Sequence, residues 1–308
     1  MLKQDILFSK APPPKLSDAQ SRILSHLQDH MDDAAYLSSA QLAEKLGISN
    51  ATVVRFCQHL GFRGYPDLQN RIRQEIKTRL KVHDRILKRP PYIREAKDFL
   101  KTVLKSDRDN LSNALKTVSE DLFAQLVEEI HSHQEIWVLG LRSCHGAAHY
   151  FATNLGFLSR RANLISLDAG AVWSHIMPGL NKDALVVAVS FPRHSQTTLD
   201  IAQTFYKAGA KIAAITDSHA SPLASMGTWV FPLPFWIDSY FESNVAVVSF
   251  FNAVLAGVSF LDGQKTVTQL QALEEVWAEK NVYHPSEALS FPSWADRFHP
   301  TDNKEKDE

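Results

Sequence analysis

The stretch Ala184–Ala208, which reads ALVVAVSFPRHSQTTLDIAQTFYKA, decides the fold of this chain. A continuous apolar run ends at Ser190, and from Ser195 onward the apolar residues recur at helical spacing. The pattern predicts a strand, a polar loop and a helix. In a parallel α/β sheet the end of a strand and the start of the next helix meet at the ligand crevice, so hydroxyls and unpaired backbone N–H groups there favour an anion.

Similar patterns around this stretch predict an α/β domain. Five short apolar runs occur at regular spacing, and helical patterns such as residues 147–158 and 199–208 lie between most of them. The runs are Ile136–Leu141, Leu164–Leu167, Ala184–Phe191, Lys211–Thr216 and Trp229–Leu233. Strands that alternate with helices through right-handed crossovers predict a three-layer α/β sandwich around a five-stranded parallel sheet.

Charge divides the 308-residue chain, which is long enough for about two domains. The formal net charge is only −1, but residues 1–110 contain 20 Lys and Arg against 13 Asp and Glu, which leaves 13 against 21 for the remainder. A basic first part and an acidic second part indicate different partners.

We expect a cytoplasmic protein with no membrane partner. The two cysteines, Cys57 and Cys144, form no framework of disulfides or metal ligands, and the chain opens without a recognisable secretory signal. The long apolar run from Val245 to Leu261 is interrupted by three polar residues and has no basic flank, so we expect a buried helix rather than a membrane span.

The basic first part predicts an all-α domain of three short helices, with serines as N-caps. Residues 38–61, SSAQLAEKLGISNATVVRFCQHLG, resemble a helix-turn-helix. Ala43 is small where two helices cross, Gly47 suits a left-handed turn, and Val53 is placed for the shared core. A further helix from Pro66 to about Leu87 is expected to end before paired prolines that mark a linker.

Residues around the third helix are candidates for contact with double-stranded DNA. They are Ser49, Asn50, Thr52, Arg55, His59 and Arg63. Hydroxyls and amides at a helix start suit phosphates, and Arg55 is long enough to reach a guanine in the major groove. A small helical bundle with a solvated polar face is the alternative, but the many Lys and Arg residues after Gly61 favour an operator-binding domain.

Two predicted strand ends form a candidate anion site. The first strand is followed by Arg142 and Ser143, and the third by Ser190, Arg193 and Ser195. A single serine at a helix start is most often only a cap. Two such ends, with two guanidinium groups, suit a small anionic effector much better than either end alone.

The helix-turn-helix is followed in order by the motifs GLRSCHGAA, VSFPRHSQTTLDIA, GAKIAAITDSHASPLA and SYFESNVAVVSFFNAVLAGV. Together they resemble the RpiR family of bacterial transcription regulators, whose second half is a sugar isomerase (SIS) domain. The resemblance implies a DNA-binding homodimer or homotetramer that is not an enzyme. Its SIS domain binds a small phosphorylated metabolite, commonly a sugar phosphate, and thereby changes operator binding.

The resemblance covers about residues 15 to 262 and suggests domain limits. We expect a helix-turn-helix domain at 1–90, a linker with lead-in helices at 91–120, an SIS domain at 121–265, and a partly disordered C-terminal extension at 266–308.

The loop after the third strand departs from the pattern Ser-x-Ser-Gly-x-Thr that the family commonly shows. Ser190 matches the first serine and Ser195 stands at the threonine, but Pro192 and Arg193 replace the second serine and the glycine. One hydroxyl and one flexible backbone position are lost, and a guanidinium group that can contact phosphate or carboxylate is gained. An effector with a carboxylate alone therefore stays open.

Glu242 completes the candidate effector site and carries the alternative function. It matches the position where SIS enzymes often keep an acidic residue for proton transfer, which would make the chain a sugar-phosphate isomerase with an accessory helical domain. We favour a residue that caps the next helix or binds a ligand hydroxyl. Cys144, near a helix start, is either a redox sensor or an inert buried thiol. We expect no catalytic residue, no metal and no cofactor.

Overall fold

The computed structural model describes residues 16–35, 37–69, 71–72, 92–158, 160–166, 171–237, 239 and 241–284. Most of the predicted helix from Pro66 to Leu87 lies outside the described residues, as do the linker prolines and the predicted disorder from residue 285 onward. The domain limits that depend on these segments stay predictions.

The first part of the chain is helical. It contains α1 (Asp18–Asp29), α2 (Met31–Ala34), α3 (Ser39–Leu46) and α4 (Asn50–His59), and residues 65–69 and 71–72 are also helical. Ser17, Ser38 and Ser49 are the N-caps of α1, α3 and α4, and each hydroxyl accepts a hydrogen bond from a backbone N–H of the first turn. Gly47 ends α3 at φ +61°, in the left-handed turn that the sequence predicts.

One apolar cluster joins these helices. Ile23 and Leu27 of α1, Leu42 of α3, and Val53 and Phe56 of α4 are fully buried in it. Because the apolar residues of α4 lie on one face, the opposite face remains in solvent. This is the arrangement of a helix-turn-helix, with α4 as the helix that can enter a DNA groove.

The second part alternates strands and helices. Its elements are α5 (Asp98–Thr117), α6 (Glu120–Ser132), β1 (Glu135–Gly140), α7 (His145–Phe157), β2 (Arg161–Ile165), α8 (Val172–Ile176), β3 (Leu185–Val189), α9 (Gln196–Lys207), β4 (Lys211–Thr216), β5 (Trp229–Pro232), α10 (Val245–Asp262) and α11 (Gln264–Glu279).

The five strands form one parallel sheet with the order β2-β1-β3-β4-β5, which confirms the predicted architecture. Ile136 of β1 lies opposite Leu185 of β3, and Gly140 lies opposite Val189. After β1 the chain adds β2 on one side of it, and β3 then lies on the other side. The order of the strands therefore reverses between β1 and β3. In sheets of this order the ligand crevice opens at that switch point, outside the carboxyl ends of the two strands.

Helices cover both faces of the sheet. On one face α6, α7 and α10 pack around residues such as Val138 and Val187, and on the other α8 and α9 pack around Leu139 and Val186. Successive side chains of a strand point to opposite faces, so β3 is buried on both and reads as a continuous apolar run. The helices that follow β1 and β3 therefore diverge to opposite faces and leave the crevice between them.

Element limits differ from the prediction where the apolar pattern is weak. β2 spans Arg161–Ile165 instead of 164–167, because it is an edge strand that is only partly buried and needs no continuous apolar run. α9 begins at Gln196, as the helical spacing from Ser195 predicts, and ends at Lys207. Within the expected extension, α11 is a regular helix, and its Trp277 packs edge-on against Phe157 of α7.

α5 lies in the region that was expected to hold a linker and lead-in helices, and it is packed on the sandwich. Asn110 Nδ2 donates a hydrogen bond to the backbone oxygen of Trp236 at 2.9 Å. Ser243 Oγ donates to a carboxylate oxygen of Asp107 at 2.5 Å. These contacts tie α5 to the segment that joins β5 to α10.

α10 is the helix predicted to be buried, and the prediction is right for one face only. It is long and apolar enough to cross a membrane, and 33% of it is buried within the protein. Val247, Phe251 and Val254 lie in the sandwich core. A core helix of a soluble protein meets the same criteria of length and hydropathy.

Candidate effector crevice and DNA-binding helix

The end of β1 brings Ser143 to Glu242. After Gly140 the chain passes through one turn of 3₁₀ helix, Arg142–Cys144, into α7. Ser143 Oγ lies 3.5 Å from Glu242 Oε2, and the backbone oxygen of Ser143 accepts a hydrogen bond from Asn244 Nδ2 at 3.3 Å. A Cβ at position 140 would lie 2.7 Å from a side chain of α7, so this close turn requires glycine.

Both arginines predicted for the effector site are exposed at the crevice loops. Arg142 has a φ of +57°, a left-handed conformation that is uncommon for a residue with a Cβ and that recurs at ligand sites. Arg193 lies in the loop between β3 and α9. Their exposure leaves both guanidinium groups accessible to a ligand.

The end of β3 places Ser190 in a buried hydrogen-bonded chain. Ser190 is only 3% exposed, and its Oγ lies 3.0 Å from His194 Nδ1. His194 Nε2 lies 3.4 Å from Asp217 Oδ1, the first residue after β4. Thr216 Oγ1 also donates to the backbone oxygen of Ser190 at 2.8 Å, so the end of β3 is tied to the end of β4.

Ser195 stands at the start of α9 without capping it. It has the extended backbone of an N-cap residue, but its side chain makes no cap hydrogen bond. The first N–H groups of a helix have no partner within the helix. The hydroxyl of Ser195 and the first N–H groups of α9 are therefore placed to bind an anion at the same point.

The two crevice loops touch through Cys144. Its thiol accepts a hydrogen bond from the backbone of Phe191, and burial raises its pKa to about 11, with a further rise from the charge of Glu242. Because the thiolate is the reactive form, burial of this thiol favours the inert cysteine over the redox sensor. Burial likewise raises the pKa of Cys57, in the core of the first domain, to about 12.

Glu242 does not cap α10. The helix begins at Val245 with Asn244 as its N-cap, so Glu242 lies three residues before the first helical residue. The capping interpretation is wrong because the carboxylate is directed to Ser143 across the crevice. It is half-buried there, so part of the side chain faces solvent.

A solvent-open cavity adjoins the ends of β3, β4 and β5. Pro192 and Asp217 form part of its wall next to the crevice, and Thr117 and Trp236 form another part. Arg71, from the helical segment after α4, also lines it. None of the six predicted effector residues lines the cavity, so it lies beside the crevice rather than forming it.

The predicted DNA contacts separate into two groups. Asn50, Arg55 and Arg63 are exposed, as residues that read DNA must be, and so is His59, although its Nδ1 lies 3.3 Å from Gln20 Nε2. Ser49 and Thr52 are used within the protein. The hydroxyl of Ser49 accepts a hydrogen bond from the backbone N–H of Thr52 at 3.1 Å, and the two hydroxyl oxygens are 2.8 Å apart.

Sequence reasoning missed three residues of the crevice, namely His194, Asp217 and Asn244. Histidine within a loop that already contains two serines is a signal that the sequence does offer. The positions of Asp217 and Asn244 depend on the order of the strands and on the packing of α10. The local sequence pattern shows neither.

Comparison with known proteins supports both the helix-turn-helix domain and the α/β domain. Residues 10–79 match the model of the helix-turn-helix domain of the rpiR family, and residues 129–256 match that of the SIS domain. The chain belongs to the RpiR family. It is a transcriptional regulator with a helix-turn-helix domain and an SIS domain.

Two curated relatives match over most of the chain. An uncharacterised HTH-type transcriptional regulator of Clostridium perfringens is 23% identical over 227 residues, which cover 71% of this chain and 77% of the relative. HexR, an HTH-type transcriptional regulator of Pseudomonas aeruginosa, is 23% identical over 269 residues, 85% of this chain and 91% of HexR.

Two solved structures share the fold. The sugar isomerase domain of an RpiR transcription factor from Sphaerobacter thermophilus has a TM-score of 0.53 and 21% identity, and covers 56% of this chain and 96% of that domain. The Vibrio vulnificus NanR protein, complexed with ManNAc-6P, has a TM-score of 0.52 and 18% identity, and covers 91% of this chain and 98% of NanR.

Proposed function

We propose that this RpiR-family regulator binds operator DNA through α4 and that a phosphosugar bound in the SIS crevice changes its operator affinity. The observation that carries the proposal is the uncapped start of α9 beside the hydroxyl of Ser195, at the switch point of the sheet. Such a point combines unpaired N–H groups, a helix dipole and a hydroxyl, which together favour a phosphate.

The remaining crevice side chains suit a sugar attached to that phosphate. Arg142 and Arg193 are exposed cations that can pair with the phosphate, or with a carboxylate if the effector carries one. Glu242 and Asp217 are acceptors for sugar hydroxyls. NanR, whose structure contains ManNAc-6P, has the same fold, and this supports a phosphosugar as the class of ligand to test first.

The DNA-binding half acts as a dimer in this proposal. A two-fold pair of α4 helices would read half-sites about one helical turn apart, or a multiple of it, on a palindromic operator. Leu100, Leu104 and Leu115 of α5 are 67%, 60% and 87% exposed, and this apolar face favours contact with a second copy. Sedimentation of the full chain would distinguish a dimer from a tetramer. We place the protein in the cytoplasm, where operators and phosphosugars meet.

Two measurements test the proposal. A thermal-shift screen of ManNAc-6P and other sugar phosphates identifies effectors, because a ligand that binds the folded state raises the melting temperature. A titration with operator DNA at several salt concentrations tests whether the protein binds DNA. We expect the affinity to fall steeply with salt. A slope near zero, with no preference for sequence, would contradict DNA binding.

Sugar-phosphate isomerisation is the second candidate, and the contact of Glu242 with Ser143 favours it. A carboxylate in a sugar-binding crevice could move a proton next to a carbonyl. Nδ1 of His145 donates a hydrogen bond to the backbone oxygen of Gly140 at 3.2 Å, which leaves Nε2 as the ring nitrogen that could act as a base. We expect no interconversion of aldose and ketose phosphates. Turnover that Glu242→Gln abolishes would establish the enzyme.

A further inference from the structure

His194 is a crevice residue to which the proposed function assigns no role. It lies in the loop between β3 and α9, which reads SFPRHS, and only 15% of its side chain is exposed. One of its ring nitrogens faces the end of β3 and the other faces the end of β4. The ring therefore bridges two strand ends inside the loop that is proposed to hold the anion.

The two contacts define how the neutral ring is protonated. Nδ1 lies 3.0 Å from Ser190 Oγ, and Nε2 lies 3.4 Å from Asp217 Oδ1. A carboxylate can only accept, so its proximity favours the tautomer in which Nε2 carries the proton. Nδ1 is then an acceptor, and the one hydroxyl proton of Ser190 is directed to it. In this state Ser190 has no proton to donate to an anion.

The same three residue types form hydrolase triads, but this chain of contacts does not serve that chemistry. The ring is reversed relative to such a triad, because the serine contacts Nδ1 and the carboxylate contacts Nε2. The arrangement controls the direction of a hydrogen bond rather than the activation of a nucleophile.

A second proton on the ring reverses that hydrogen bond. The imidazolium donates from Nδ1 to Ser190 Oγ, and the serine hydroxyl then directs its own proton elsewhere, where a ligand can accept it. The crevice gains one donor and one positive charge near the start of α9, while Asp217 remains as the counter-ion of the ring. Each change favours an anion.

We propose that the loop of residues 190–195 binds its anion together with a proton that His194 takes up, so that anion affinity rises as the pH falls. The proposal rests on the proposed function, because it concerns the regulation of the same crevice. It makes His194 a positioning residue, which acts on the ligand through Ser190 and through its charge.

Two further histidines lie at this edge, His145, whose Nδ1 contacts the backbone oxygen of Gly140, and the exposed His219; the remaining charged groups do not supply the same switch. Asp217 faces the ring directly, and Arg71 shares the wall of the cavity with Asp217. Arg193 and Arg142 are exposed on the two loops, and Glu242 faces Ser143 across the crevice. Among these residue types, histidine is the one whose charge normally changes between about pH 5 and 8.

Sulfate is a suitable probe, because it keeps its double charge between about pH 6 and pH 8, whereas a phosphate monoester takes up a proton near pH 6. The full chain is titrated with sulfate at both pH values and constant ionic strength, and proton uptake is measured by calorimetry in two buffers of different ionisation enthalpy. We expect binding about tenfold tighter at the lower pH, with net proton uptake on binding.

Three variants assign the effect to one residue. His194→Gln keeps a polar side chain of similar size that does not titrate, and we expect equal sulfate affinity at both pH values. Asp217→Asn removes the counter-ion, so the pH dependence should move to lower pH. His133→Gln is the matched control, because His133 follows α6 at the opposite end of the sheet and contacts Glu129. It should behave as the wild type.

The proposal is overturned if the wild type binds sulfate equally at both pH values, binds none at either, or if His194→Gln preserves the pH dependence. None of these results touches the proposed function, which is tested at one fixed pH by the response of operator binding to a phosphosugar. Conversely, pH-dependent sulfate binding without that response would support the proton uptake and refute the proposed regulation.

Discussion

Helices α4 and α9 both begin after a serine, but the two serines make different hydrogen bonds. Ser49 caps α4, and its hydroxyl is held by the N–H and the hydroxyl of Thr52. Ser195 precedes α9 and makes no cap hydrogen bond. Both positions were expected to contact an anion, the first a DNA phosphate and the second an effector.

The difference separates a structural serine from one available to a ligand. A capped helix start has satisfied one of its N–H groups and occupied its serine, so DNA contact at α4 depends on exposed side chains such as Asn50 and Arg55. A helix start without a cap lacks about 1 kcal/mol of stabilisation from the cap hydrogen bond, but its backbone N–H donors remain accessible to a ligand. Substitutions at the two helix starts test this difference.

Removal of the two loop hydroxyls should have the largest effect. At about 100 times its dissociation constant, an effector stabilises the folded protein by about 2.7 kcal/mol, which raises the melting temperature by about 5–10 °C. We expect Ser190→Ala combined with Ser195→Ala to lose this rise in a thermal-shift titration. Ser49→Ala is the control at the capped helix and should retain it. An unchanged rise in the double variant would show that the effector binds elsewhere.

Arg55→Ala tests the other helix and should have the next largest effect. If Arg55 contacts a guanine through two hydrogen bonds, its loss costs about 1–3 kcal/mol on the operator and much less on mixed-sequence DNA. Fluorescence anisotropy with both DNAs measures the difference. Arg142→Ala, the same change in the crevice, should leave operator affinity of the ligand-free protein unchanged. An equal loss on all sequences would make Arg55 a phosphate contact.

The smallest effect concerns stability. Ser49→Ala removes a cap and should lower the free energy of unfolding of the first domain by about 1 kcal/mol. Ser195→Ala removes no cap and should change stability by no more than about 0.5 kcal/mol. Urea denaturation of the full chain measures both. Comparable losses in the two variants would contradict the difference between the helix ends.

Much of the fold could be predicted because buried strands have an unmistakable pattern. β1, β3 and β4 are central and covered on both faces, so each is a continuous apolar run that is limited by polar residues. The caps at Ser17 and Ser38 and the turn at Gly47 were predictable because their chemistry is local. The limits of the edge strand β2 were predicted wrongly, because an edge strand needs apolar side chains on one face only.

The site could be located from the sequence but not completed. Ser143, Ser190 and Ser195 follow directly from strand ends, whereas the contact of His194 with Asp217 requires that β3 and β4 be neighbours. The sequence likewise indicates a serine before each helix without showing which serine caps its helix. That depends on the rotamer and on the packing around the loop.

The most direct test of the account is the operator affinity of the wild-type protein with and without the phosphosugar that raises its melting temperature most. The operator is first selected from random-sequence DNA, and both titrations use the same salt and pH. We predict affinities that differ by about 100-fold, or about 2.7 kcal/mol, which is enough to switch occupancy. Equal affinities at a saturating concentration of the bound ligand would contradict the claim that the crevice controls the DNA-binding helix.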